Sequence, residues 1–221
     1  TKSWGDYPKQ LCEALNMSGI VFDRPGYGRS PGNLDLRTND YLIEAAKETA
    51  EFIKSLHLDK IILYGHSDGG SIALAYAALY PEDILCIIAE AAHVINEIET
   101  KKGIILAKKA YELGKFKKLT EWHGNNLPMV FKAWVNTWLD DSFDLVSLKN
   151  LLPKITVDQL VIQGLTDQYG TSKQYAIIDK ETKGKTTIFT PDCKHIPFME
   201  AREEVLSIVS RFIKKARHEN T

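Results

Sequence analysis

A chain of 221 residues, 44% apolar and 26% charged, is long enough for one sizeable core with room for a small inserted subdomain. Its 28 basic and 29 acidic residues leave a formal charge of −1, so no field of one sign attracts nucleic acid or an anionic membrane surface. No apolar run approaches the ~18 residues of a membrane span, and no signal peptide is legible. Three widely separated cysteines, Cys12, Cys86 and Cys193, form neither a disulfide framework nor a metal-ligand spacing, which makes a reducing cytoplasm the default.

The chain opens at Thr1 with a helical pattern over Trp4 to Leu15, an opening expected of a chain that lacks an N-terminal piece. Ile20-Val21-Phe22 reads as a strand that runs through Asp23 into the Gly/Pro-dense loop 24–32. Apolar residues at helical spacing from Thr38 to Leu56 predict a helix, with Thr38 or Asn39 as its N-cap. Ile61 to Tyr64 is a buried strand by length and content; a helix follows from Gly70 to Leu79, ending before Pro81, and Ile84 to Ala89 is another buried strand.

After Val94 the pattern changes. Residues 97–148 show helical periodicity, three tryptophans (Trp122, Trp134 and Trp138) and no strand signal, the signature of a helical insertion or lid. The lysine pairs at 101–102 and 108–109 and the cluster at 115–118 have apolar neighbours and read as solvated helix faces. Strand–helix alternation then resumes with Leu160 to Gln163, a helix over 171–179, Thr187 to Phe189, and a closing amphipathic helix from Glu200 to Lys215. Such alternation predicts an α/β fold with a mostly parallel sheet flanked by helices, its core in residues 1–96 and 149–221.

The chemistry concentrates in three places. Gly65-His66-Ser67-Asp68-Gly69-Gly70 joins a strand to an Ala-rich helix, the context in which a sharp turn lifts a serine Oγ off the sheet edge. Gly65 and Gly69 are expected to relieve crowding in that turn, and Gly70 to let helix and strand approach. A serine hydroxyl needs a base to take its proton. His195, between the last strand and the last helix, occupies the position for that base, and Asp167, just past the penultimate strand, the position for the carboxylate that orients it. The order Ser67, Asp167, His195 is the one this arrangement requires.

With these pieces, and with Phe22-Asp23-Arg24-Pro25-Gly26-Tyr27-Gly28-Arg29-Ser30 and His195-Ile196-Pro197-Phe198-Met199-Glu200, the sequence resembles the α/β-hydrolase superfamily over essentially its whole length. The resemblance implies that Ser67 attacks an acyl carbonyl, that His195 acts as base and then acid, that Asp167 orients His195, and that no cofactor takes part. It implies that the backbone N–H of Asp68 is one oxyanion-hole donor, the second being expected from a His-Gly type loop after an earlier strand, before Thr1. It departs from the family at Lys194, where glycine is usual; an inward lysine would disfavour an imidazolium at His195, and a solvent-facing rotamer is expected. Relatives that use aspartate at the elbow, the haloalkane dehalogenases and epoxide hydrolases, are set aside by Ser67.

Small esters are the leading substrates, with carbon–carbon bond hydrolysis, acyl transfer and a non-catalytic binding role left open. Asp68 carries the specificity clue. Its plain reading is a carboxylate favoured by the helix dipole, worth about 0.3–1 kcal/mol. Its sharper reading is recognition of a cationic group, because the elbow is similar to that of the valacyclovir hydrolases, where this aspartate is associated with the substrate's α-amino group. Glu90 and His93 follow the strand after the elbow and are expected to face the cleft, Glu90 with an alternative role as a substitute for Asp167. Trp134 and Trp138, one helical turn apart, are candidates for the core of the lid or for an apolar acyl pocket. The partner is a small acyl substrate; oligomeric state is not legible.

Overall fold

A computed structural model describes residues 1–34, 37–58 and 60–219. Four parallel strands, β1 (Ile61–His66), β2 (Ile84–Glu90), β3 (Gln159–Ile162) and β4 (Thr186–Phe189), form one sheet in the order β1-β2-β3-β4. The pairing places His66 opposite Glu90, and Glu90 opposite Ile162, so the ends of the first three strands converge on one edge. That edge carries the elbow. β2 and β3 are buried on both faces, which is why they read as continuous apolar runs.

Helices flank this sheet. α2 (Tyr41–Ser55) packs on α3 (Asp68–Leu79), and α3 packs on β1 and β2. α3 buries nine of its twelve residues, from Gly70 to Ala78, and is apolar all round rather than amphipathic. α8 (Ser172–Glu181) lies against β4, and α10 (Arg202–Glu219) against β2 and the single turn α9 (Pro197–Glu200). Contacts divide the chain into two compact units, one of Asp40–Ile95 with Leu145–Thr221, the other of Thr1–Asn39 with Asn96–Asp144. The second holds α1 (Tyr7–Leu15), α4 (Ile98–Glu112), α5 (Lys117–His123) and α6 (Leu127–Leu139). No described helix is long and apolar enough to cross a membrane.

Several sequence expectations are corrected. Ile20-Val21-Phe22 is not a strand: it is coil outside the sheet, with 57%, 38% and 38% of the surface of these residues exposed. Apolar, β-branched content favours burial, but only a neighbouring backbone makes a ladder, and the four strands of the sheet lie elsewhere in the chain. α2 begins at Tyr41 with Asp40, not Thr38 or Asn39, as its N-cap; the Asn39 amide N–H donates to the carbonyl of Ser142 at 3.1 Å. The elbow helix starts two residues earlier than its periodicity suggests. The closing helix is broken at Ala201, where φ is −125° and ψ 43°, into α9 and α10.

The glycines around the elbow divide unexpectedly. A Cβ on Gly65 would lie 2.0 Å from the carbonyl oxygen of Gly69, and one on Gly70 would lie 2.9 Å from that of Glu90. A Cβ on Gly69 would meet nothing within 4 Å. The crowding is thus borne by Gly65, and Gly69 contributes its backbone rather than its missing side chain. Gly65→Ala is expected to destabilise the fold by about 3 kcal/mol through overpacking, whereas Gly69→Ala is neutral or stabilising by up to about 1 kcal/mol. Denaturant unfolding of the two variants measures the difference, and equal losses would contradict this account.

Candidate active site

Ser67 stands between β1 and α3 with φ 56° and ψ −122°, a left-handed backbone that an L-residue adopts only under constraint. Its N–H donates to the carbonyl of Glu90 at 2.8 Å, and its own carbonyl accepts from the N–H groups of Gly70 and Ser71 at 2.9 and 3.1 Å. The turn is held from the end of the neighbouring strand and from the first turn of the helix. The side chain is thereby lifted off the sheet edge toward His195.

His195 Nε2 lies 3.1 Å from Ser67 Oγ, and His195 Nδ1 lies 2.8 and 3.0 Å from the two carboxylate oxygens of Asp167. The Asp167 side chain is fully buried and that of His195 12% exposed. Burial pushes the Asp167 carboxyl up, but the hydrogen bond and charge of His195 and the Tyr169 N–H (2.8 Å to Oδ1) outweigh it, and the net shift is downward. An ionised carboxylate only accepts, so His195 Nδ1 carries a proton; in the neutral ring Nε2 is then bare and accepts from the Ser67 hydroxyl. Both loops that carry these groups are fastened together. The Leu165 N–H donates to the Pro191 carbonyl at 2.9 Å and the Thr166 N–H to the Cys193 carbonyl at 3.0 Å. Gly164 makes this approach sterically feasible, since a Cβ there would lie 1.9 Å from the carbonyl oxygen of Lys194.

Three supporting residues escape sequence reasoning. Gln163, just past β3, donates its amide to Asp167 Oδ2. The Tyr169 ring stacks edge-on against His195 with centroids 4.7 Å apart. His66, the variable residue of the elbow, donates from Nε2 to the His195 carbonyl at 2.7 Å. Desolvation by the surrounding protein and the nearby His195 hold the His66 pKa down to about 3, so it stays neutral although the residue is only half-buried. Only the position of His66 within the elbow hints at this role.

The substrate-facing expectations fare differently. Asp68 is the first residue of α3, next to Ser67, and its carboxylate accepts from the Tyr41 hydroxyl at 3.0 Å. Glu90 does not face a cleft: it is 0% exposed, and its carboxylate accepts from the Tyr64 hydroxyl and, at 3.0 Å, from the Phe198 N–H. Asp167, not Glu90, holds His195. His93 is also inside, 3% exposed, its ring 6.0 Å from that of His195 and its backbone N–H and carbonyl tied to the Ser71 hydroxyl at 2.8 and 2.7 Å. Trp138 is 2% exposed and packs on Phe143 at 5.1 Å; Trp134 is half-buried against Phe131 at 5.6 Å. Both tryptophans serve the packing of their own unit. Lys194 is exposed, its backbone N–H donating to Glu200 at 2.6 Å.

Burial pushes the Glu90 carboxyl up to about 7, against the lowering effect of its two hydrogen bonds. A carboxyl raised on folding binds its proton more tightly in the native state. Folding therefore loses stability as pH rises from about 4.5, the unperturbed value, to about 7, and the loss is constant above that. At 1.36 kcal/mol per unit, ionised Glu90 costs about 3 kcal/mol. Glu90→Gln is accordingly expected to be more stable than the parent above pH 7, with the advantage shrinking toward pH 4.5. Urea unfolding as a function of pH measures it; an advantage that does not change with pH would refute the linkage.

A sequence model described as the alpha/beta hydrolase fold matches residues 14–145. The chain is 27% identical over 220 residues to serine hydrolase BPHL of Homo sapiens, covering 95% of this chain and 74% of that protein. It is 25% identical over 253 residues to a proline iminopeptidase of Saccharolobus solfataricus, covering 94% and 80%. Among solved structures, a bacterial membrane phospholipase A aligns with a TM-score of 0.76 at 21% identity, over 96% of this chain and 75% of that one. A thermophilic esterase from Thermogutta terrifontis aligns with a TM-score of 0.70 at 20% identity, over 96% and 85%. These last two likenesses concern the fold. A parallel sheet with a strained serine at the end of its first strand, together with these matches, identifies the chain as an enzyme of the α/β-hydrolase fold family.

Proposed function

We propose that this hydrolase cleaves small carboxylic esters through a covalent acyl-enzyme on Ser67. The observation that supports this reading is the hydrogen-bonded chain from Ser67 Oγ through His195 to Asp167, at 3.1 and 2.8 Å, on a backbone that exposes the hydroxyl. Ser67 Oγ adds to the ester carbonyl carbon while its proton passes to His195 Nε2. The tetrahedral adduct expels the alcohol, which takes that proton from His195, and leaves an acyl-Ser67 ester. Water then attacks the acyl carbon, giving its proton to His195, and the acid departs as Ser67 recovers its proton. Asp167 holds the Nδ1–H tautomer and stabilises the transient imidazolium. The N–H of Asp68 at the start of α3 is assigned as an oxyanion-hole donor. In this reading residues 97–148 are an inserted helical lid.

Amino-acid esters are the favoured subclass. A carboxylate at Asp68, next in sequence to the nucleophile, suits a substrate ammonium a few ångströms from the scissile carbonyl. The similarity to a proline iminopeptidase is consistent with a free amino group near that bond. The Tyr41 hydroxyl, which donates to Asp68 Oδ1 at 3.0 Å, fixes the orientation of that carboxylate.

Fluorophosphonate labelling and p-nitrophenyl ester turnover test the mechanism in the full-length protein. Label is expected on Ser67 and absent in Ser67→Ala, and Asp167→Asn is expected to lower kcat by about 10⁴-fold through the wrong His195 tautomer. A parent protein that takes no label would end the proposal. Specificity is read separately: Asp68→Ala should lower kcat/KM for valine esters at least tenfold more than for matched esters without the amino group, and equal losses would remove the ammonium site.

A further inference from the structure

Glu90 has no task in the mechanism above, yet its backbone holds Ser67 and its side chain holds the turn that begins at His195. Its backbone carbonyl accepts the Ser67 N–H at 2.8 Å, and its side chain accepts the Phe198 N–H at 3.0 Å. Phe198 lies three residues beyond His195, in the one-turn helix α9. At the other end of the same turn the His195 carbonyl accepts from His66 at 2.7 Å, and His66 is paired with Glu90 across β1 and β2. The His66 and Phe198 rings meet edge to face with centroids 5.4 Å apart. The segment 195–198 is thus gripped at its first carbonyl and its last amide by two residues at adjacent strand ends. One of these precedes the nucleophile and the other holds its backbone.

We propose that Glu90 is a positioning residue that sets the distance between His195 and Ser67 by docking the 195–198 turn onto the strand end that carries the elbow. This inference rests on the acyl-enzyme reading of Ser67 and His195. The need for such a device is physical. His195 sits in a connection between strand and helix, the kind of segment that moves most. Proton transfer from Ser67 Oγ needs hydrogen-bond reach, and a displacement of about 1 Å can cost about 100-fold in rate. Asp167 fixes the ring of His195 from one side only. A buried carboxylate is an expensive tether unless both oxygens are engaged, and the Tyr64 hydroxyl engages the one that Phe198 does not.

Reach, rather than charge, is what this role demands. Glu90→Asp keeps the charge but is one methylene too short to hold the Phe198 N–H. Glu90→Gln loses the charge and keeps an acceptor at the same reach. Steady-state ester hydrolysis by the full-length protein should therefore show kcat about 10- to 100-fold lower in Glu90→Asp, with KM changed less than about threefold. Glu90→Gln should restore kcat to within about threefold of the parent. The opposite order, a Gln variant that fails and an Asp variant that does not, would overturn the proposal in favour of an electrostatic role. A loss confined to KM would overturn it in favour of substrate contact. Amide hydrogen exchange in the parent supplies a readout that needs no variant to fold. The Phe198 N–H is expected to be protected to the level of the sheet amides, and rapid exchange would refute the tether. Failure of fluorophosphonate to label parent Ser67 is a separate result: it would remove the acyl-enzyme reading while the exchange measurement still reports on the tether.

Discussion

A serine held at φ 56° and ψ −122° stores about 1–3 kcal/mol of backbone strain, and the architecture of the sheet edge follows from having to hold it there. The hydrogen bond from the Ser67 N–H to the Glu90 carbonyl anchors the strained residue to β2 rather than to its own strand. Gly65 has to lack a side chain because the backbone of Gly69 passes over it, and Gly70 because the end of β2 does. Once the turn is closed, α3 leaves the strand end steeply, and its apolar surface has to be buried all round. Its residues from Gly70 to Ala78 are inside.

The same economy governs His195 and Asp167. Their loops leave the ends of β4 and β3, and β3 lies beside β2 in the sheet, so the side chains of Ser67, Asp167 and His195, from distant parts of the chain, arrive at one edge because the strands are parallel and in this order. Parallel order alone would leave the loops several ångströms apart. Gly164 removes that gap by letting its backbone rest on the Lys194 carbonyl, and two backbone hydrogen bonds to Pro191 and Cys193 lock the contact. His195 is then surrounded by groups that fix it without competing for its proton: an ionised Asp167, a neutral His66 and the edge of Tyr169.

Burial also explains why two acidic residues near the site differ in character. Asp167 is fully buried, but a histidine and a backbone N–H compensate its charge and hold its pKa below the ordinary value. Glu90 is equally buried, the Tyr64 hydroxyl and the Phe198 N–H offset its desolvation only in part, and its pKa rises to about 7. The first stays ionised against the His195 ring. The second is suited to hold backbone.

By itself the sequence determined the strands that form the sheet core, the parallel alternation, and the placement of Ser67, Asp167 and His195 each just past a strand end. These follow from apolar runs, glycines and chain order, which are local. It also misled where local preference needs a neighbour to act on: Ile20 to Phe22 is apolar and β-branched but lies outside the ladder, and α2 is capped by Asp40 rather than by Thr38 or Asn39. In the sequence Glu90 and His93 follow an apolar run just as Asp167 does, and nothing local separates them. Only the tertiary structure turned Glu90 and His93 inward, brought Gln163, His66 and Tyr169 onto the site, and showed that Gly65 and Gly164 carry the close approaches while Gly69 does not. Burial and hydrogen-bond partnership depend on residues far away in the chain, and a periodicity read along one segment has no access to them.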